Sequence, residues 1–111
     1  MVNEDLINRV REALMHLPQV EEKKMFGGIC FLVDDKLCIC VNKHEMLCRI
    51  NPAELEVMLE LDGVRPMMQR DRTAKGYVFI HEDVLIHKTD FNYWIAKALA
   101  YNKTAKASKR K

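Results

Sequence analysis

Apolar positions recur at helical spacing from the first residues of the chain: Leu6, Ile7, Val10, Ala13, Leu14 and Leu17. Glu4, Asp5, Arg9, Arg11 and Glu12 fill the other face, so the pattern predicts an amphipathic helix over residues 4–17. Asn3 stands where an N-cap belongs, and Pro18 stops the helix. The polar stretch 21–24 reads as an extended connector. The period then changes to two. Residues 28–33, 37–42 and 46–50 predict three strands of an antiparallel meander, joined by Asp34-Asp35-Lys36 and Lys43-His44-Glu45. With a three-residue first turn, Val33 opposes Leu37, Phe31 opposes Ile39 and Ile29 opposes Val41. All six then share one face, leaving Cys30, Leu32, Cys38 and Cys40 on the other.

The second half repeats these signals more weakly. Asn51-Pro52 opens a helix whose buried stripe is Leu55, Met58 and Leu59, with Leu61 a further candidate, and Asp62-Gly63 ends it. Residues 64–68 read as a short strand, and Pro66 assigns it to an edge or a bulge. Residues 69–76 read as a polar loop and 77–80 as a strand. Residues 81–88 look irregular. Thr89 caps a last helix over 90–102, with Phe91, Trp94, Ile95, Ala98 and Leu99 inward. The order α-β-β-β-α-β-β-α predicts an α+β fold: a two-layer sandwich with an antiparallel sheet and the helices on one face.

Length and charge narrow the class. The 111 residues suit one domain, residues 1–102, followed by a basic tail, 103–111. The tail holds Lys103, Lys106, Lys109, Arg110 and Lys111 and no acid. Of the 18 basic residues, 13 remain against 16 acids in residues 1–102, a net −3 beneath the overall +2. A mildly acidic body argues against direct DNA binding by the folded part. No apolar run approaches the roughly 18–20 residues of a membrane span, and the acidic N-terminus is unlike a secretory signal. Both point to the cytoplasm, where the four cysteines are expected as free thiols.

Lys24-Met25-Phe26-Gly27-Gly28 runs directly into the strand Ile29-Cys30-Phe31-Leu32-Val33. With the acidic turn, the later Gly76-Tyr77-Val78 strand and the Trp94-Ile95…Ala98-Leu99-Ala100-Tyr101-Asn102 helix, it resembles the N-terminal domain of the TfoX/Sxy family. The resemblance covers nearly the whole chain. It implies a two-layer sandwich similar to secretion chaperones and a link to regulation of natural competence. Full-length regulators of that family carry a second, C-terminal domain and are thought to act with a cyclic-AMP receptor protein. This chain is expected to stand alone without that domain, and the resemblance brings no catalytic residues.

Several clusters have two readings. Cys38-x-Cys40 with Cys30, Cys48 and His44 has zinc-type ligands. On a strand, however, residues two apart have Cα atoms about 6.6–7 Å apart, whereas thiolates sharing a zinc approach to about 3.8 Å. Small buried apolar side chains fit better, and a Cys30–Cys40 disulfide is expected only in an oxidising setting. A His44–cysteine dyad lacks an orienting third group. His81-Glu82-Asp83 with His87 offers acid–base and metal-type groups, but in a segment that reads as a surface loop. Gly27-Gly28 feeds a strand, so a tight chain crossing with Met25 and Phe26 packed under it fits better than a phosphate cradle, which normally feeds a helix. Arg65, Arg70, Arg72 and Lys75 against Asp71, with the tail, are candidate contacts to nucleic acid or an acidic partner, or a solvated loop. Met25, Met46, Met58, Met67 and Met68 line a partner groove or fill the core.

The residues therefore predict a non-enzymatic interaction domain that docks another protein, such as transcription machinery, through a sheet edge or a helix face. Catalytic residues, metal site and cofactor are all expected to be absent. A direct nucleic-acid binder using the tail and the 70–75 loop is the first alternative, and a small Cys/His metal protein or enzyme the second. Monomer and dimer both remain open, and no membrane role is expected.

Overall fold

The computed structural model describes residues 3–25 and 27–105. Asn3 caps α1 (Glu4–Leu14): its side chain accepts the Leu6 amide at 3.0 Å. Leu6, Ile7, Val10 and Leu14 are buried along one stripe. The helix stops three residues short of the expected end, and the chain turns through a Leu17 amide to Leu14 carbonyl bond of 3.0 Å. Next come β1 (Val20–Met25), β2 (Gly28–Val33), β3 (Lys36–Val41) and β4 (Glu45–Arg49). A 3-10 turn (Pro52–Glu54), capped by Asn51, leads into the one-turn helix α2 (Leu55–Met58). The chain closes with β5 (Val64–Gln69), β6 (Arg72–His81), α3 (Glu82–Leu85) and α4 (Lys88–Asn102).

The strands form one antiparallel sheet in the order β1-β2-β3-β4-β6-β5. Helices α1 to α4 lie on one face. Their apolar side chains, among them Val10, Leu55, Leu85, Phe91, Trp94 and Ala98, pack on Phe31, Ile39, Val41, Met46, Val78 and Ile80. This is the α+β, helices-on-one-face architecture that the order of elements predicts. Asn102, a buried polar side chain at the end of α4, donates to the Val33 carbonyl at 3.3 Å. Lys36 Nζ donates to the Asn102 carbonyl at 3.0 Å. These two bonds tie the end of the last helix to the β2–β3 turn.

Four local expectations are corrected. The connector 21–24 is the middle of edge strand β1, paired to β2 from Val20↔Val33 to Met25↔Gly28. Its charged side chains gave no alternation to read, and charge is how edge strands resist pairing with other chains. The loop 69–76 is a tight hairpin: Gln69 pairs with Arg72, Arg70 adopts φ 58°, and β6 runs on from Arg72. The segment 81–88 contains α3, capped by His81 Nδ1, which accepts the Asp83 amide at 3.1 Å. The last helix starts at Lys88, with His87 rather than Thr89 at the cap position.

The β2–β3 register is reached differently from the expectation. The turn has two residues, Asp34 and Asp35, at φ 54° and 66°, and Val33 pairs with Lys36. That pairing alone would move every later β3 side chain to the wrong face. A bulge corrects it: Leu32 pairs with Leu37 but Phe31 with Ile39, leaving Cys38 as the extra residue. Phe31↔Ile39 and Ile29↔Val41 stand as expected, whereas Leu37 and Cys38 exchange faces.

The glycine pair has two separate roles. Gly27, at φ 75°, lies between β1 and β2, where only a glycine adopts that conformation without strain. Gly28 lies so near β3 that a Cβ would run into the Val41 carbonyl, while a Cβ on Gly27 meets open space. Gly28→Ala is therefore expected to cost about 1–3 kcal/mol through overpacking against fixed backbone. Gly27→Ala should cost about 1–2 kcal/mol from φ alone. Urea unfolding of the two variants measures both.

A second prediction concerns the strap between α1 and β1. Arg11 holds Glu22 through two bonds of 2.7 and 2.8 Å, and that hydrogen bonding holds the Glu22 carboxyl below its usual range. A lowered folded-state pKa contributes stability above the unfolded-state pKa, lost as pH falls through the folded value. Glu22→Gln should lower the urea midpoint slightly at neutral pH, and the difference should vanish in acid below both values.

Candidate functional site

Two open clefts flank α3. The first, of about 660 Å³, lies between the α2–β5 turn, α3 and the start of α4. Leu61, Val84, Tyr93 and Trp94 supply its apolar surface; Asp62, Asp83, Asp90 and His87 stand among them. Leu61, a candidate for the buried stripe of the second helix, lies instead beyond the end of α2 and is 44% exposed; Tyr93 is 41% exposed. The second cleft, of about 600 Å³, runs between α1 and α3, where Asn3, Asp5, Arg9, Glu82 and Ile86 meet. Arg9 is drawn over the Phe91 ring at 4.1 Å, and Ile86 is 70% exposed. Asp83 lines both, so α3 is an acidic ridge with apolar flanks. Sequence reasoning missed this surface because its parts come from three separate segments.

The histidines enter this region without converging. His44, in the β3–β4 turn, places Nδ1 2.8 Å from Glu82 Oε2, and Asn3 Nδ2 donates to Glu82 Oε1 at 2.9 Å. The Glu82 amide donates to the His44 carbonyl at 2.8 Å. This network fastens the N-terminal cap of α1, the β3–β4 turn and α3 together. His81 is committed to its cap, and His87 lies in the first cleft. Among the described residues, no group of three or more His, Cys, Asp or Glu side chains is placed to hold a metal ion.

The expected basic cluster divides. Arg65 is held by Glu45 at 2.6 and 2.7 Å and stacks over Phe79 at 4.3 Å; the Glu45 hydrogen bond raises its pKa. It sits near the start of β5, apart from Arg70, Arg72 and Lys75 on the β5–β6 hairpin. Those three are exposed at the opposite end of the sheet from α3. Arg49, not singled out by the sequence, joins them there. Its guanidinium lies 5.9 Å from the Tyr77 ring and 5.7 Å from the Tyr101 ring, linking β6 to the last turn of α4. Lys103 is exposed just beyond. Lys106, Lys109, Arg110 and Lys111 lie outside the described residues, as does Phe26 of the Lys24-Met25-Phe26-Gly27-Gly28 motif. Lys24 is exposed on edge strand β1, and Met25 packs on the outer face of the sheet.

The cysteines separate by face, which corrects the expectation of four free thiols. Cys30 and Cys40 are register partners on the outer face and form a disulfide. Cys38 and Cys48 are free and buried in the helix-facing core. Burial pushes the Cys38 thiol up to about 12 and Cys48 well above its ordinary value. Both are therefore neutral, unreactive packing groups. The methionines likewise scatter: Met46 and Met58 fill the inner core, Met25 and Met67 the outer face, and Met68 is exposed.

Among the described residues, no helix is long and apolar enough to cross a membrane. No curated protein and no solved structure matches the chain. Residues 12–101 do match a family, and the matched span runs from the last turn of α1 to the last turn of α4, taking in the whole sheet, all of the first cleft and the α3 side of the second. The chain belongs to the TfoX N-terminal domain family.

Proposed function

We propose that this chain is a non-enzymatic, cytoplasmic interaction domain that docks a protein partner beside α3, in a regulatory role related to competence or transcription. The observation that carries the reading is the acid-rimmed apolar cleft holding Leu61, Tyr93 and Trp94 beneath Asp62, Asp83 and Asp90. Exposed apolar side chains with a charged rim suit a partner segment bearing an apolar anchor flanked by Lys or Arg. Docking by strand addition is less suited to the molecule. Edge β1 is charged along its length, and edge β5 carries Pro66 and a register shift beside it. Membership of the TfoX N-terminal domain family supports the link to competence.

Partner capture after mild crosslinking in the native cell tests this. The wild-type chain and a chain lacking 103–111 should recover the same protein. Leu61→Ser and Asp83→Lys, both at exposed positions, should each weaken the complex by ~1–2 kcal/mol. Recovery of the partner undiminished by both substitutions overturns the docking site.

A second reading rests on the opposite end of the sheet. Arg49 between Tyr77 and Tyr101, with Arg70, Arg72, Lys75 and Lys103 nearby, combines charge with aromatic surface, as single-stranded nucleic acid requires. Under this reading, affinity for an oligonucleotide falls steeply with salt. Anisotropy titrations at two salt concentrations should show a shallower slope after Arg70→Gln and Arg72→Gln. A slope unchanged by these substitutions and by removal of 103–111 excludes it.

A further inference from the structure

The outer face of the sheet, on which none of the helices α1 to α4 packs, holds a second small core. Cys30, Leu37, Cys40 and Leu47 are buried there beneath Met25, Met67, Tyr77 and Phe79. The sheet curls enough that Met25 of β1 and Met67 of β5, from opposite edges, line one cavity of about 30 Å³ with Cys40. We propose that Cys30–Cys40 is a thiol–disulfide exchange site, oxidised and reduced reversibly by low-molecular-weight thiols and their disulfides, and that its state governs how firmly Met25, Gly27 and Gly28 at the β1–β2 corner are held.

Three observations carry this. Cys30 and Cys40 are direct register partners on paired strands, so the backbone holds both sulfurs together in either state. The reduced form also has a place in the fold: Cys30 Sγ lies 3.9 Å from the Met25 carbonyl, an acceptor waiting for a thiol proton. The other two cysteines face the opposite core and do not compete. In the reducing compartment proposed above, a disulfide is formed transiently and has a chemical rather than a purely structural role.

The two sulfurs are not equivalent. Cys40 is 6% exposed and lines the cavity; Cys30 is 0% exposed. The cavity has room for only a water or two, so a thiol enters when the flexible Met25 and Met67 side chains swing aside. Its thiolate attacks Cys40 Sγ, forming a mixed disulfide there and breaking the bond to Cys30. Cys30 leaves as a thiolate, takes a proton from water and donates a hydrogen bond to the Met25 carbonyl. A second thiolate attacks the incoming sulfur of the mixed disulfide and releases Cys40, which is protonated in turn. The products are two protein thiols and one small-molecule disulfide; oxidation by that disulfide runs the same steps backwards.

Differential alkylation of the folded full-length chain tests the site, with mass spectrometry to place the label. After dithiothreitol, N-ethylmaleimide should modify Cys30 and Cys40 and leave Cys38 and Cys48 untouched. Excess glutathione disulfide should abolish the labelling again. Amides of Met25, Gly27 and Gly28 should exchange hydrogen faster in the reduced form, and Cys40→Ser should remove the transition while Cys38→Ala preserves it. The proposal is overturned if the pair stays labelled under excess glutathione disulfide, resists dithiothreitol until the chain unfolds, or if amide exchange at Met25, Gly27 and Gly28 is the same in both states. Each of these three outcomes is measured on the wild-type chain and so does not depend on any variant folding.

Discussion

The extra residue in β3 decides what each face of the sheet carries. Side chains along a strand alternate, so one inserted residue reverses everything beyond it. The tight Asp34-Asp35 turn sets Lys36 against Val33, and the bulge at Cys38 resets the phase in time for Ile39 and Val41 to join the helix-facing core. Without the bulge, Ile39 and Val41 would face outward and the helices would rest on Cys40. The two-residue turn already puts Leu37 outward and Cys38 inward; the bulge returns Ile39 and Val41 to the helix side and brings Cys40 opposite Cys30. Core packing, the inert thiol pair and the outer disulfide all follow from the tight turn and the bulge together. A bulge also strengthens twist, consistent with a sheet whose two edge strands reach around to the same cavity.

The sheet then acts as a frame that keeps two kinds of surface apart. Strand β4 runs from Glu45, beside the His44–Glu82–Asn3 network, to Arg49, beside Tyr77 and Tyr101. At the first end α3 stands up between two clefts and gathers acids from segments far apart in sequence. At the second, the β5–β6 hairpin and the last turn of α4 present Arg70, Arg72, Lys75 and Lys103, with Asp34, Asp35 and Asp71 in the adjoining turns. A net charge near zero conceals this separation, as it conceals the contrast between body and tail. Long-range steering depends on where charges lie rather than on their sum.

The legible parts of the fold were those with local causes. Asn3 as a cap, the apolar stripe of α1, the alternation of β2 to β4, and Pro66 marking an edge with a bulge beside it could each be read from a few neighbouring residues. The illegible parts depend on partners distant in the chain. Val20–Met25 becomes a strand because β2 offers hydrogen bonds, not because Glu21, Glu22, Lys23 and Lys24 favour one. Residues 72–76 extend β6 because β5 lies alongside. The clefts beside α3 need Leu61, Asp83 and Tyr93 to be brought together, which no spacing announces. Arg65 failed as a member of the basic cluster for the same reason: Glu45 and Phe79 claim it from across the sheet.

The glycine motif illustrates how a short signature can be structural on one face and chemical on the other. Gly28 has no Cβ because β3 passes too close, and that closeness brings the β1–β2 corner over Cys40. Met25, paired with Gly28, both covers the outer core and offers its carbonyl to Cys30. A larger residue at Gly28 would push the corner away from Val41 and uncover the sulfur pair. The inner thiols need no such cover, because Cys38 and Cys48 are sealed by helices and their ionisation is suppressed by burial. Four cysteines on three adjacent strands thus divide by orientation alone: two are packing groups in a dry core, and two sit under a movable lid of methionine.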